Sequence, residues 1–200
     1  MEWHFQNDYV STYAFHEHRE RAPHLEQDAH RHRLLAAFEL IKSLPDWNEP
    51  QQYWVSDLGC GDGGLLQLLK GEKTQVWGYD FCPANRDGWK DRGVEDVTTF
   101  KDWTTHDITL GDVVVLTEVL EHLRDPHAEL RWLYGAKQHG SPAVDYIVAS
   151  SPWHEDNLHH AAEHNWAWDM EGYEKLFTST GWKIRSHTQS EWSQLIVAER

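Results

Sequence analysis

Three groups of residues in this chain combine types and spacings that could do chemistry. Gly59, Gly61 and Gly64 follow a G-x-G-x-x-G spacing between an apolar run at 53–58 and a leucine-rich stretch, Leu65 to Leu69. Asp57 stands two residues before the first glycine, and Asp80 closes the next apolar run. Glycines let a backbone approach a ligand closely, and a helix N-terminus offers unpaired N–H groups. A carboxylate at position 80 is placed to accept from ribose hydroxyls. One at position 57 suits a cationic ligand part and repels a pyrophosphate. The second group is Glu118, Glu121 and His122. On the helix predicted there, i, i+3 and i+4 share one face, which makes a half-site for a divalent metal. The third is the stretch 151–168, with Trp153, His154, His159, His160, His164, Trp166 and Trp168. A histidine can take a proton from an acceptor near neutral pH, and tryptophans offer flat apolar walls. His160 and His164 also carry an i, i+4 zinc spacing, if that stretch is helical.

The elements that must position these groups follow from pattern. Residues 1–23 read as an irregular aromatic arm, in which Tyr13, His16 and Arg19 are candidate lid contacts. Leu34, Phe38 and Ile41 set a helical period over 24–44, ended by Pro45. Strands are predicted at 53–58, 75–79, 94–100, 112–116, 143–149, 182–187 and 192–198. Helices are predicted at 83–92, 118–123 (capped by Thr117), 127–138 and 169–180, the last closed by Gly181. Alternation of strands and helices predicts a mostly parallel sheet with helices on both faces.

Bulk properties narrow the class. Two hundred residues suit one domain, and 18 basic against 33 acidic residues give a formal charge of −15. That argues against an extended phosphate-tracking surface, so nucleic acid is not the expected partner. Cys60 and Cys82 read as reduced thiols in a cytoplasmic protein. No apolar run approaches membrane-spanning length.

The segment D-L-G-C-G-D-G (57–63) resembles the cofactor-binding motif of class I S-adenosylmethionine (SAM) dependent methyltransferases. The resemblance covers about 53–200 and implies a three-layer α/β/α Rossmann-like sandwich. Its sheet would have seven mostly parallel strands, one made antiparallel by a C-terminal hairpin. The whole chain would be one methyltransferase domain, with residues 1–50 as an arm and helix covering the cofactor site and 51–200 as the core. The resemblance implies SAM as cofactor, held by Asp57, Gly59, Cys60, Gly61, Asp80, Phe81, Asp102, Trp103 and Glu118. Here Asp102 would accept from the adenine amino group and Trp103 would lie against the ring. The wording E-V-L-E-H-L (118–123) is similar to that of ubiquinone-biosynthesis and small-RNA 3′-end O-methyltransferases. This implies a divalent metal (Mg²⁺, Mn²⁺ or Zn²⁺) on Glu118, Glu121, His122 and His164, with His160 as the other choice of histidine.

The expected reaction is in-line methyl transfer to an oxygen or nitrogen of a small-molecule acceptor, with His122, His154 and His164 as candidate bases. Three other readings stay open at this level. They are an RNA 2′-O-methyltransferase, an NAD-dependent oxidoreductase on the same βαβ unit, and a non-catalytic SAM-binding protein.

Overall fold

The computed structural model describes residues 1–5, 14, 23–45, 47, 53–72, 74–138 and 141–200. Tyr13, His16 and Arg19 lie outside the described residues. In chain order the strands are β1 (Glu2–His4), β2 (Trp54–Leu58), β3 (Gln75–Asp80), β4 (Thr98–Phe100), β5 (Val113–Thr117), β6 (Lys137–Gln138), β7 (Ser141–Pro142), β8 (Tyr146–Pro152), β9 (Trp166–Trp168), β10 (Lys183–Gln189) and β11 (Ser193–Glu199). The helices are α1 (Asp28–Lys42), α2 (Gly64–Lys70), α3 (Arg86–Asp91), α4 (Pro126–Gly135) and α5 (Met170–Thr178).

Seven strands form one sheet in the order β10-β11-β8-β5-β2-β3-β4. β11 runs antiparallel to both neighbours, and the other pairs are parallel. This is the three-layer arrangement expected from the alternating pattern. β5 sits at the centre because all five of its residues, VVVLT, are buried, as a strand covered on both faces requires. Alternate residues feed two cores. Val114 and Leu116 face Leu130 and Phe177 on the side of α4 and α5. Val113 and Val115 face Ile41, Leu66 and Trp89 on the side of α1, α2 and α3. No helix among the described residues is long and apolar enough to cross a membrane.

Several predicted boundaries change. The strand expected at 94–100 is only Thr98–Phe100, because residues 95–97 turn and Thr98 Oγ1 donates to the carbonyl of Val94. The helix expected to reach 138 stops at Gly135, and Lys137–Gln138 pairs with Ser141–Pro142 instead. β8 is shifted forward to 146–152, where it matches β11 residue for residue from Tyr146↔Glu199 to Pro152↔Ser193. Position 152 ends that ladder, a place where a proline without an N–H is tolerated. The arm begins with β1, which pairs antiparallel with β9 inside the supposed 151–168 loop.

The largest change concerns 118–123, which is not an α-helix. Glu118 has φ +54°, a left-handed conformation, and only Leu120–His122 form a single 3₁₀ turn. Thr117 therefore ends β5 rather than capping a helix. The cause is a contact distant in sequence: the N–H of Glu118 donates to the Oγ and carbonyl of Ser150, which pulls the chain toward β8.

Candidate functional site

A cavity of about 250 Å³ opens at the carboxyl ends of β2, β3 and β5, the usual ligand end of such sheets. Its floor is the glycine turn. The N–H groups of Gly59 and Cys60 both donate to the carbonyl of Tyr79, at 2.8 and 3.1 Å, so the turn is pinned to β3. Gly61 N–H donates to Asp80 Oδ2 (2.9 Å) and Cys82 N–H to Asp80 Oδ1 (2.6 Å). Asp80 thus shapes the turn.

Asp57 lies under the turn, 1% exposed, and its Oδ1 is buried without a hydrogen-bond partner. Burial first, and the Asp80 charge second, push its carboxyl up to about 7, while Arg33 pulls it down. Keeping such a group charged requires a cation or a hydrogen-bond donor beside it.

Asp62 anchors the cover of the cavity. Its carboxylate is fully buried and accepts from Arg92 Nε and Nη2 (2.9 and 2.7 Å) and from the backbone N–H of His24 (3.2 Å). The His24 ring Nδ1 lies 3.0 Å from its other oxygen. Burial alone would raise the Asp62 carboxyl, but the His24 and Arg92 contacts outweigh it and hold it low. This fixes the chain entering α1, so that His24, His30, Arg33 and Leu34 line the cavity.

The opposite wall is Trp103 and Thr104. Asp102 does not line the cavity: its Oδ1 accepts from the N–H and hydroxyl of Thr104, at 3.0 and 2.5 Å, capping the 3₁₀ turn 103–105. The predicted Asp102–Trp103 pair is therefore split, and only the tryptophan reaches the cavity.

The far end is built from Glu118, His122, Glu163 and His164, with Glu121 buried behind them. One ligand atom each from Glu121, His122 and His164 lie within 4.8 Å of one another. The two imidazoles meet edge to face, centroids 4.6 Å apart. His164 Nδ1 lies 2.6 Å from Glu155 Oε2, the carboxylate–histidine pairing typical behind a metal ligand. Both oxygens of Glu121 are buried without hydrogen-bond partners, and burial, then the Glu118 charge, holds its carboxyl well above the usual range. An orphaned buried carboxylate beside two imidazoles fits a divalent cation. Glu118 stays outside that trio. Its Oε1 accepts from Ser150 Oγ (2.9 Å) and its Oε2 lies 3.7 Å from Arg33 Nη1. The shared helix face expected for Glu118, Glu121 and His122 does not exist.

Segment 164–166 is stitched to this wall. Asn165 N–H donates to the carbonyl of Glu121 (2.7 Å), Asn165 Nδ2 to that of His122 (2.9 Å), and Trp166 Nε1 to that of Leu123 (3.0 Å). Two other histidines are placed elsewhere. His154 is exposed between the rings of Trp153 and Trp192 and does not line the cavity. His160 stacks on Phe5 at 3.5 Å, and residues 160–164 are not helical, so the i, i+4 zinc geometry is absent.

Residues 27–187 match the family model described as "Methyltransferase domain". The chain belongs to this family. No curated protein matches the sequence. Among solved structures, magnesium protoporphyrin IX methyltransferase from Synechocystis PCC 6803 with bound S-adenosylhomocysteine (SAH) superposes with a TM-score of 0.65. It is 15% identical, over 96% of this chain and 94% of that one. The 1,6-didemethyltoxoflavin N1-methyltransferase of Burkholderia thailandensis gives 0.64 at 12% identity, covering 84% and 78%. The [4+2]-cyclase SpnF gives 0.65 at 11% identity, covering 98% and 85%. The same fold thus also carries a cyclase, and the reaction has to be argued from the site.

The sequence places Glu155 only within the 151–168 stretch, gives no signal for Glu163, and sets His24, His30 and Arg33 in a run that reads more readily as solvated than as a site. The charged run 24–33 reads as a solvated helix face. The one signal against it is that Arg33 precedes Leu34, at the edge of the apolar stripe formed with Ala37 and Ile41.

Proposed function

We propose that this methyltransferase-family chain is a SAM-dependent enzyme that methylates an oxygen or nitrogen of a small-molecule acceptor. The observation that carries the reading is Asp57: a buried carboxylate with an unpartnered oxygen beneath a glycine turn calls for a cationic ligand. A pyrophosphate would be repelled there, which disfavours NAD. In this reading Gly59, Cys60 and Gly61 provide the close backbone approach. Asp80 accepts from ribose hydroxyls, Phe81 and Trp103 flank the adenine, and Glu118 sits beside the amino-acid end. Residues 1–50 act as the cover of a single domain. The bound cofactor supplies an activated methyl group, so the chain's task is to orient the acceptor and manage its proton.

Glu121, His122 and His164 would hold a divalent ion, which as a Lewis acid would make an acceptor hydroxyl easier to ionise. Glu155 fixes the ring orientation of His164 by taking its Nδ1 side. The acceptor end of the cavity is apolar at Leu123 and acidic at Glu163. With a net charge of −15, this favours a small molecule over RNA.

Calorimetry with SAH and with NADH tests the cofactor: SAH is expected to bind and NADH not, and the reverse would overturn the reading. Elemental analysis, and titration with Mg²⁺, Mn²⁺ and Zn²⁺ after chelation, tests the metal. No bound metal and no metal-induced rise in Tm would remove it. A panel of hydroxylated aromatics and amines, read by mass gain of one methyl group, tests the acceptor. An RNA gel shift that weakens steeply with salt would favour the nucleic-acid alternative.

A further inference from the structure

Gln194 of β11 is fully buried. Its Nε2 donates to the carbonyl of Trp168 (2.8 Å) and to that of Pro152 (3.4 Å). Both carbonyls are acceptors only, so the amide must face them with its NH₂ end. Its Oε1 then faces Nε2 of His187, 3.2 Å away, and can only accept. The other ring nitrogen of His187, Nδ1, lies 3.0 Å from Glu174 Oε1. The groups facing this ring are the Glu174 carboxylate and the Tyr173 phenol from α5 and the Gln194 amide from β11. The His187 side chain is 3% exposed, so water does not stand in for either partner. An acceptor on each nitrogen requires the ring to carry both protons while both contacts are held. Trp168 ends β9, and Asn165 and Trp166 just before it are bonded to the wall that carries His122. Pro152 opens the same stretch at the end of β8. Gln194 therefore ties both roots of residues 153–167 to the sheet.

We propose that Gln194 is the positioning residue of this wall and that the proton on His187 Nε2 sets its amide. A neutral ring keeps its remaining proton on Nδ1, because a hydrogen bond to a carboxylate is the stronger of the two. Nε2 then turns a lone pair on Gln194 Oε1, and two acceptors meet. Rotating the amide relieves that clash but presents its oxygen to the carbonyls of Trp168 and Pro152. A single proton thus holds both roots, and its loss frees both. The direction follows: the wall is held while the ring is charged and loosens as rising pH removes the proton. Under the proposed function, the acceptor end of the cavity, with Glu163 and His164, is set by a histidine that does not line it.

Two measurements on the full chain test this. Long-range proton–nitrogen NMR reads the protonation of each ring nitrogen, with the His187 signals identified by their absence in His187→Gln. Both nitrogens are expected to carry protons at about pH 5, and Nδ1 alone at about pH 9. Hydrogen exchange, corrected for its intrinsic pH dependence, reads the protection of residues 153–168. In the wild type it should fall about tenfold as the ring titrates. Gln194→Leu should show the low protection at every pH, while unchanged protection of β5 shows that the variant is folded. His187→Gln offers Gln194 Oε1 a donor that does not titrate, so it should keep the high protection and lose the pH dependence. A ring with one proton throughout, a pH-dependent fall that persists in His187→Gln, or wild-type protection in Gln194→Leu overturns the proposal. If Gln194→Leu does not fold, the wild-type ring and His187→Gln decide. Neither measurement uses cofactor, metal or acceptor, so failure here leaves the proposed function standing, and failure of SAH to bind leaves the staple standing.

Discussion

The imidazole of His24 occupies the space that a side chain at position 61 would need: a Cβ on Gly61 would lie 2.4 Å from His24 Cε1. Gly61 also has φ +56°, where an L side chain is strained. Gly61→Ala is therefore expected to cost about 2 kcal/mol of stability and to displace the cover from the turn. SAH affinity should fall at least about tenfold. Denaturant unfolding and calorimetry check the two effects, and a fully stable variant with normal affinity would contradict the seating of His24.

Asp57 links cofactor binding to pH. Its folded carboxyl is raised to about 7 from an ordinary value of 3.8. The folded protein without cofactor thus keeps a proton, between about pH 4 and 7, that the unfolded chain has released. Stability from this group is complete below the unfolded value and is lost as pH rises through 7, with an upper limit of about 4 kcal/mol. Cofactor binding needs the charged form, so SAH affinity should rise over the same window. Asp57→Asn is expected to flatten the loss of stability with pH while weakening SAH. Chemical denaturation at pH 5 and 8, with and without SAH, measures both.

Asp62 behaves in the opposite sense. Its carboxyl is held below 3.8, so it contributes stability above the unfolded value that is lost as pH falls through the folded one. Asp62→Asn leaves Arg92 and His24 without their shared anion and should cost about 3 kcal/mol. The expected signature is a lower urea midpoint together with weaker SAH binding. Normal SAH affinity in a destabilised variant would separate the anchor from the cofactor site.

Glu121→Gln addresses the proposed metal. Burial already disfavours the charged carboxylate, and the amide has nearly the same shape, so stability without metal should change by about 1 kcal/mol or less. The rise in Tm on adding a divalent ion should disappear. If the variant responds to metal like the wild type, Glu121 is not a ligand.

Much of this was legible in the chain. The five-residue apolar run of β5 and the glycine turn announce a parallel sheet with a ligand at its carboxyl edge. Asp57, Gly59, Asp80, Trp103 and Glu118, far apart in the chain, line one cavity. The rest depended on contacts distant in sequence. E-V-L-E-H-L has helical wording, yet Ser150, 32 residues on, turns Glu118 left-handed. The pairing of Glu2 with Trp168 leaves no local period to detect. Arg33 sits in a charged run whose polarity suggests solvent, and only the fold of the cover shows it buried. Asp102 was drawn off by a hydroxyl two residues away, a local bond that competes with ligand binding.

Residues 153–163 hang between two fixed posts: Pro152 at the end of the β8–β11 ladder, and Asn165, bonded to the carbonyls of Glu121 and His122. Within the segment, Glu155 holds the His164 ring and the Glu163 carbonyl meets the His122 ring, so those two positions are tied to the histidine pair; the exposed positions 157–159 are where side chains can drift, or be swapped by design, without touching that pair. A graft confined to 157–159 changes the segment while leaving Glu155, Glu163 and His164 in place, which separates the loop's outer surface from the wall of the cavity.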